Sequence, residues 1–288
     1  MDKKIIDAKN LLFEYYQEDD NGQIIETIKA LEDFSLEIFS GEFLVVLGHN
    51  GSGKSTFAKH LNGILKAKSG MLIVDGFDMK NEENIFLVRQ NVGMVFQNPD
   101  NQMVANIVEE EVAFGVENLG VKQSEIRQRV DDALATVGMT EFKFKSPNQL
   151  SGGQKQKISI AGIIAMRPKC IVFDEATAML DPVSRKQVME TMQMLNKKYG
   201  ITIIHITHYM NEAILADRII VMEDGKLILQ GTPKNVFQNV ELLKSIGLDV
   251  PDATYLIYLL NKKGLDLDPS IISTEEVVKL LSQKLSKQ

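Results

Sequence analysis

The stretch Phe43-Leu44-Val45-Val46-Leu47-Gly48-His49-Asn50-Gly51-Ser52-Gly53-Lys54-Ser55 runs five apolar residues into a glycine-rich turn that ends in Lys-Ser. Residues 48–55 fit the pattern G-x-x-x-x-G-K-[ST]. The apolar run before them has strand length and residues 55–62 read as a helix, which are the two contexts this pattern requires. The glycines let backbone N–H groups curl around phosphate oxygens without Cβ clashes, and the helix N-terminus adds partial positive charge at the same place. Lys54 is placed to reach the outer phosphates, and the Ser55 hydroxyl is of the type that ligates Mg²⁺. A phosphate loop on Gly48, His49, Asn50, Gly51, Ser52, Gly53, Lys54, Ser55 and Thr56 is the expectation.

Working outward, short apolar runs at Phe43–Leu47, Val92–Phe96, Cys170–Phe173 and Ile201–Ile206 alternate with helical patterns, the grammar of an α/β parallel sheet. Before Gly41 the chain reads differently, as an antiparallel ribbon of residues 5–16 and 24–38. Asn21-Gly22 is its turn pair, with both residues expected at positive φ. Residues 107–136 carry Ile126, Val130 and Leu134 at helical spacing, continued by Val137 just beyond, so a helical subdomain is expected inside the sheet. Residues 219–222 and 227–230 read as a hairpin across Glu223-Asp224-Gly225, and Thr232-Pro233 opens a short helix. The remaining chain reads as two helices, with Leu256, Leu259 and Leu260 in one and Val277, Leu280, Leu281 and Leu285 in the next. Ser273 and Glu276 form a capping box.

A phosphate loop needs a carboxylate for its metal and a group to position water, and both belong at the end of a neighbouring buried strand. Cys170-Ile171-Val172-Phe173-Asp174-Glu175 supplies them, with Asp174 expected to hold Mg²⁺ and Glu175 to polarise the attacking water. Leu150-Ser151-Gly152-Gly153-Gln154 opens a long helix and makes a second anion-ready end, without a lysine or metal ligands. One chain therefore offers two phosphate-grasping helix ends and one set of metal ligands.

In order along the chain stand Gly48–Ser55, Gln97 in Val95-Phe96-Gln97, Leu150–Gln154, Ile171–Glu175, Leu180-Asp181 and His208 in Ile206-Thr207-His208. This set resembles the nucleotide-binding subunit of ATP-binding-cassette (ABC) transporters. The resemblance implies an α/β P-loop NTPase cassette with an N-terminal antiparallel β subdomain, an inserted α-helical subdomain near residues 98–165 and a C-terminal helical extension. It also implies ATP and Mg²⁺ as ligands and a head-to-tail dimer, in which Ser151, Gly152, Gly153 and Gln154 of one subunit close over the nucleotide of the other. That pairing accounts for the two half-sites. Carried over position by position, Tyr15 stacks on adenine, Gln97 senses Mg²⁺ and water, and Ser55, Gln97 and Asp174 surround the metal. Glu175 and His208 are then catalytic, and Asp181 holds a dimer-facing turn. Of the other histidines, His205 reads as a packed strand residue, His60 as a helix-surface residue and His49 as part of the loop through its backbone alone.

Several departures point to a branch: Gly162 where arginine is usual, Ala178-Met179-Leu180-Asp181 at the turn, Lys157 where arginine is common, and the segments Phe96–Gln102 and Ile206–Met210. Together they resemble the ATPase subunits of energy-coupling-factor (ECF) transporters, bacterial importers of vitamins and transition-metal ions. This implies a second ATPase subunit, identical or paralogous, a transmembrane coupling subunit and a substrate-binding membrane subunit, with the chain peripheral on the cytoplasmic face. The division expected is a cassette over 1–240 and a helical extension over 241–288 that contributes to dimer contact.

Composition agrees with that reading. The 288 residues carry 32 Lys+Arg against 39 Asp+Glu, a net charge of −7, with 44% hydrophobic and 25% charged residues, which excludes a disordered or fibrous chain. The acidic balance argues against a nucleic-acid partner, and the segment between Lys54 and Ser151 lacks the sustained heptads of chromosome-maintenance ATPases. The lone Cys170 forms no internal disulfide, the first residues do not read as a secretory signal, and no run reaches the roughly 18–20 apolar residues of a membrane helix.

Overall fold

The computed structural model describes residues 3–285, with side chains as far as residue 283, so the Leu285 side chain of the expected C-terminal stripe lies outside the described residues. The chain begins with β1 (Lys4–Glu18), β2 (Ile24–Phe39), β3 (Phe43–Leu47), α1 (Lys54–Leu61), β4 (Ser69–Val74), β5 (Phe77–Asp78), α2 (Asn84–Asn91) and β6 (Val92–Val95). Three helices follow, α3 (Val108–Asn118), α4 (Gln123–Thr136) and α5 (Gly152–Ala165). Then come β7 (Cys170–Asp174), α6 (Pro182–Tyr199), β8 (Thr202–Ile206), α7 (Met210–Ala213), β9 (Arg218–Glu223) and β10 (Lys226–Gly231). The chain continues through α8 (Pro233–Phe237), α9 (Val240–Ser245), α10 (Asp252–Lys262) and α11 (Thr274–Leu285).

The larger sheet has the order β10-β9-β3-β8-β7-β6, parallel except for β10. Every residue of β3, β6, β7 and β8 is buried, because both faces of this sheet are covered. The strand period of two divides its side chains cleanly. Phe43, Val45, Leu47, Ile171 and Phe173 join the core beneath α3, α5 and α6, while Leu44, Val46, Val172, Ile204 and Ile206 join a second core with Phe57 of α1 and the N-terminal sheet.

The N-terminal sheet has the order β2-β1-β4-β5. Its strands β4 and β5 are not among the strands expected from sequence: β4 is held by pairing to the distant β1, and the two-residue β5 pairs with β4 at the edge of the sheet. The β1–β2 turn also differs from expectation. Only Gly22 is left-handed, with φ 76°, and Asn21 is not. Asp19 organises the turn instead: its Oδ1 accepts the N–H of Asn21 and of Gln23, each at 2.9 Å.

The helical stretch expected over 107–136 breaks at Gly120 into α3 and α4, which pack with α5 through Val112, Val116, Val130, Leu134 and Ile158. α5 runs from this subdomain back to the sheet, where Gly93 of β6 meets Ile163. His60 corrects the reading as a surface residue: it is fully buried. Its Nδ1 donates to the Thr56 carbonyl at 2.7 Å, and its ring stands edge-on to Phe13 at 4.8 Å. The face of α1 that looks exposed in sequence is covered by β1, which arrives from the other sheet.

Beyond residue 240, Leu243, Leu248 and Val250 still belong to the large core, while Ala253, Ile257, Leu267, Ile271 and Val277 form a small cluster of their own. Leu260, Leu280 and Leu281 pack against that cluster, whereas Leu256 and Leu259 are exposed. The Ser273–Glu276 capping box forms as expected: the Glu276 N–H donates to Ser273 Oγ at 3.2 Å and the Ser273 N–H to Glu276 Oε2 at 3.3 Å. Among the described residues no helix is long and apolar enough to cross a membrane.

A Cβ at Gly93 would lie 2.2 Å from Ile163 Cγ2, so Gly93→Ala forces β6 and α5 apart. The expected cost is about 1–3 kcal/mol in urea unfolding, partly recovered by adding Ile163→Ala, which removes the clashing branch. A Gly93→Ala protein as stable as the parent would contradict this packing.

Candidate functional site

Parallel register brings four strand ends to one edge of the large sheet: Val46 and Asp174 both pair with Ile206, and Val95 pairs with Phe173. The loops leaving these ends carry Gly48–Gly53, Thr207-His208, Glu175 and Phe96-Gln97. Open α/β sheets bind ligands at this position, outside the carboxyl ends of the strands.

The loop after β3 wraps its own lysine. Lys54 is buried, and its Nζ donates to the carbonyls of Gly48 and His49, each at 2.8 Å. Gly53 holds φ 97°, and a Cβ there would lie 2.3 Å from the Ala30 carbonyl of β2, so no side chain fits. Ser55 Oγ donates to Asp174 Oδ1 at 2.7 Å, joining the start of α1 to the end of β7. The His49 imidazole bonds to the Asn50 carbonyl at 2.7 Å, within its own loop. Tyr15 is 39% exposed, edge-on to Phe13 and 3.4 Å from the Thr56 hydroxyl, so its ring stands beside the N-terminal turn of α1.

Glu175 is left-handed, with φ 53°, a conformation that costs a non-glycine residue about 1–2 kcal/mol. Its N–H donates to the Ile206 carbonyl at 3.1 Å, which ties it to β8. The carboxylate is gripped from two sides: His208 Nε2 donates to Oε1 at 2.9 Å and Gln97 Nε2 donates to Oε2 at 3.4 Å. A carboxylate only accepts, so the proton of the first bond sits on His208 Nε2.

Two residues that sequence reading did not place in the site brace the Gln97 loop. Gln102 Oε1 accepts the Phe96 N–H while its Nε2 donates to the Phe96 carbonyl, each at 3.2 Å, and Gln156 Nε2 donates to that same carbonyl at 3.2 Å. Gln102 stood out in the sequence only as a branch marker, and no local pattern marks Gln156. In the run Glu109-Glu110-Glu111, Glu111 Oε2 accepts the N–H groups of Val104 and Ala105, and Glu109 pairs with Arg127.

The structure thus brings Tyr15, Lys54, Ser55, Thr56, Gln97, Asp174, Glu175 and His208 together. Residues 151–154 stand apart: among the described residues none of them hydrogen-bonds to residues 48–56. Ser151 and Gln154 close a capping box on each other, Ser151 and Gly152 are exposed, and Gly153 packs on Ser184. Asp181 caps α6, accepting the N–H groups of Val183 at 3.0 Å and Ser184 at 3.1 Å.

Burial dominates the electrostatics. It lowers the Lys54 ammonium below its ordinary value, against the opposing charges of Glu175 and Asp174. It raises the Asp174 carboxyl above its ordinary value, reinforced by Glu175 and opposed by the Ser55 hydrogen bond. Folded Asp174 therefore holds a proton more tightly than the unfolded chain does, and folded Lys54 less tightly. Each charge costs stability at neutral pH. The Asp174 cost fades as pH falls from its folded value toward its unfolded one, and the Lys54 cost fades only as pH rises from its folded value toward its unfolded one. Asp174→Asn keeps an acceptor for Ser55, so it is expected to leave the Tm of the nucleotide-free protein unchanged or to raise it by about 2–4 °C at neutral pH. Calorimetry showing a clear drop in Tm would contradict this.

Comparison with known proteins agrees with this geometry. The family model described as ABC transporter matches residues 31–178. The energy-coupling factor transporter ATP-binding protein EcfA1 of Clostridium novyi (strain NT) is 54% identical over 283 residues, 98% of this chain and 99% of the relative. The EcfA1 protein of Symbiobacterium thermophilum is 46% identical over 287 residues, 100% of each. Among solved structures, cbiO1 from Clostridium perfringens, described as part of the ABC transporter complex cbiONQ, superposes with a TM-score of 0.74 at 36% identity, covering 91% of this chain and 100% of that one. The dimeric ATP-binding cassette MJ0796 bound to ADP and Pi superposes with a TM-score of 0.70 at 28% identity, covering 79% of this chain and 98% of that one. With its phosphate loop, its strand-end acids and full-length relatives of this identity, the chain belongs to the ABC transporter family, among the energy-coupling factor transporter ATP-binding proteins.

Proposed function

We propose that this chain is the ATP-binding and ATP-hydrolysing subunit that energises an ECF-type importer of a vitamin or transition-metal ion. The observation that carries the reading is Glu175, held between His208 and Gln97 at the strand ends that also present Lys54 and the Ser55–Asp174 pair.

In this reading phosphate oxygens of ATP replace the Gly48 and His49 carbonyls around Lys54, exchanging neutral acceptors for charged ones. The stronger, charge-assisted bonds offset the burial of the ammonium. Tyr15 offers its exposed ring to the adenine, and the N–H groups of residues 48–56 line the phosphates. Ser55, Asp174 and Gln97 are hard oxygen donors of the kind Mg²⁺ takes, and the hydrogen bond between Ser55 and Asp174 holds two of them together as one set. When bound, Mg²⁺ would neutralise phosphate charge. Glu175 accepts a proton from the attacking water, and His208, whose Nε2–H is donated to that carboxylate here, would exchange this bond for one to the γ-phosphate when ATP is bound.

Hydrolysis in this reading requires a second ATPase subunit, identical or paralogous, whose residues 151–154 complete the site. The exposed Ser151-Gly152 turn supports this, as do Met179 and Val183, 61% and 67% exposed on either side of Asp181. Loss of the γ-phosphate removes charge from that interface and lets it open. A groove of about 440 Å³ between α2, α3 and α5, lined by Phe86, Phe114, Gly115, Gly162 and Met166, fits a short helix of a transmembrane coupling subunit. A separate membrane subunit would hold the cargo, with this chain peripheral on the cytoplasmic face. The division proposed is a cassette over residues 1–240 and a helical extension over 241–288; the separate cluster around Ile257 supports the outer part of that extension, while Leu243, Leu248 and Val250 pack into the core of the cassette.

Glu175→Gln is expected to lower the ATPase rate by at least about 100-fold while retaining ATP in a closed dimer, read by steady-state hydrolysis and light scattering. Turnover at the parental rate would remove Glu175 as the base. Deleting residues 252–288, which leaves Leu243, Leu248 and Val250 of the large core in place, is expected to weaken self-association in analytical ultracentrifugation; an unchanged association constant would limit the extension to packing within its own chain. Purification from the native membrane, with identification of the co-purifying subunits and their bound small molecule, tests the transporter assignment and its cargo.

A further inference from the structure

We propose that Glu212 is a positioning residue for hydrolysis, a buried carboxylate that holds Glu175 and His208 at their working separation by tying the turn after β7 to the turn after β8. The inference rests on the reading that Glu175 and His208 carry hydrolysis.

Glu212 lies in the four-residue helix α7 and is 4% exposed. A single oxygen, Oε2, accepts three hydrogen bonds: from Thr207 Oγ1 at 2.6 Å, from His205 Nε2 at 2.7 Å and from Thr177 Oγ1 at 3.0 Å. Thr177 stands two residues after Glu175, and Thr207 immediately precedes His208. The direction of every bond is determined, because the carboxylate can only accept. With its hydrogen committed to Glu212, the Thr207 hydroxyl accepts the Tyr209 N–H at 3.0 Å, so the backbone on both sides of His208 is fixed by the same group. Burial by itself would raise the Glu212 carboxyl, but the His205 contact and the two hydroxyls hold it below its ordinary value.

Arg185 of α6 makes a second tie between the same turns. Its guanidinium lies over the Tyr209 ring at 3.6 Å, donates to the Tyr209 hydroxyl at 2.8 Å and to the Leu180 carbonyl at 3.2 Å, and sets its Nε 3.8 Å from Glu212 Oε1. Leu180 adjoins Asp181, so the clamp also reaches the turn assigned to the dimer face. Glu175 gives this clamp its purpose. Its left-handed backbone is a strained state that persists only where the surroundings over-determine it, and the turn that follows it is the part Glu212 holds through Thr177.

A group that positions the catalytic pair without touching nucleotide should change turnover and leave binding alone. In the full-length protein, Glu212→Gln loses the charge and turns an amide toward Arg185, and Thr207→Val removes the hydroxyl's bonds to Glu212 and to the Tyr209 N–H without changing shape. Each is expected to lower kcat by about tenfold or more, since misplacement of a reacting group by a fraction of an ångström has effects of that order. The Kd for a non-hydrolysable ATP analogue should stay within about twofold of the parent. In a His208→Ala background the same substitutions should cause little further loss, because the pair they position is already broken. Retention of kcat within about twofold, or the same fold-loss with and without His208, would overturn the proposal. Should Glu212→Gln fail to fold, Thr207→Val decides by the same criteria. Glu175→Gln separates the two levels: if it turns over normally the hydrolysis reading falls, whereas if it alone is inactive only the role of Glu212 falls.

Discussion

Four strands end in register, and the site exists because they do. Leu47, Val95, Asp174 and Ile206 finish at one edge of a sheet buried on both faces, so four loops distant in sequence leave from neighbouring positions. A slip of one residue in any strand would exchange its two sets of side chains between the two cores, which is why the register is strongly specified. The precision of the strand ends is thus underwritten by apolar packing away from them. Phe43 and Phe173 on one face and Phe57 with Val46 on the other fix where Gly48, Glu175 and His208 emerge.

What those ends carry is costly without ligand. Lys54 and Asp174 are charged groups drawn out of water, and Glu175 adopts a backbone conformation that most residues avoid. The surrounding chain meets these costs with partners of its own: carbonyls of the loop for Lys54, the Ser55 hydroxyl for Asp174, His208 and Gln97 for Glu175. In the proposed cycle phosphate oxygens take the place of the loop carbonyls, and Ser55, Gln97 and His208 are groups that ATP or its Mg²⁺ would engage. These bonds are the ones that the proposed cycle would exchange for stronger ones.

The helical insertion is connected to this edge through one short loop. Gln102 and Gln156 hold the Phe96 carbonyl from two sides, so Gln97 cannot move independently of α5, and α5 is anchored against β6 at Gly93. The proposed docking groove is walled by the same helix. A displacement of the subdomain would therefore be felt at the Glu175 carboxylate through the Gln97 side chain.

Much of this was legible from sequence, because the informative patterns are local. The strand–loop–helix around Gly48–Ser55, the apolar strand ending in Asp174-Glu175, the helix opening at Ser151 and the capping box at Ser273 and Glu276 all depend on spacings of a few residues, and the structure builds these elements where they are expected. Strand β4, the burial of His60 and the bracing by Gln156 are not legible, because each depends on a surface brought from far along the chain, while β5 and the bracing by Gln102 are local contacts that no sequence pattern marks. The Asn21-Gly22 turn was misread for the opposite reason: Asp19, inside the same loop, offers its side chain to the backbone and removes the need for a second left-handed residue. The sequence by itself determined which chemical groups are present and that they follow strands and open helices, since those are nearest-neighbour properties of the chain. Only the tertiary structure decided that one Glu212 oxygen faces Thr177, His205 and Thr207 together. That convergence requires β7, β8 and α7 to be packed, and nothing in their separate sequences encodes the distance between them.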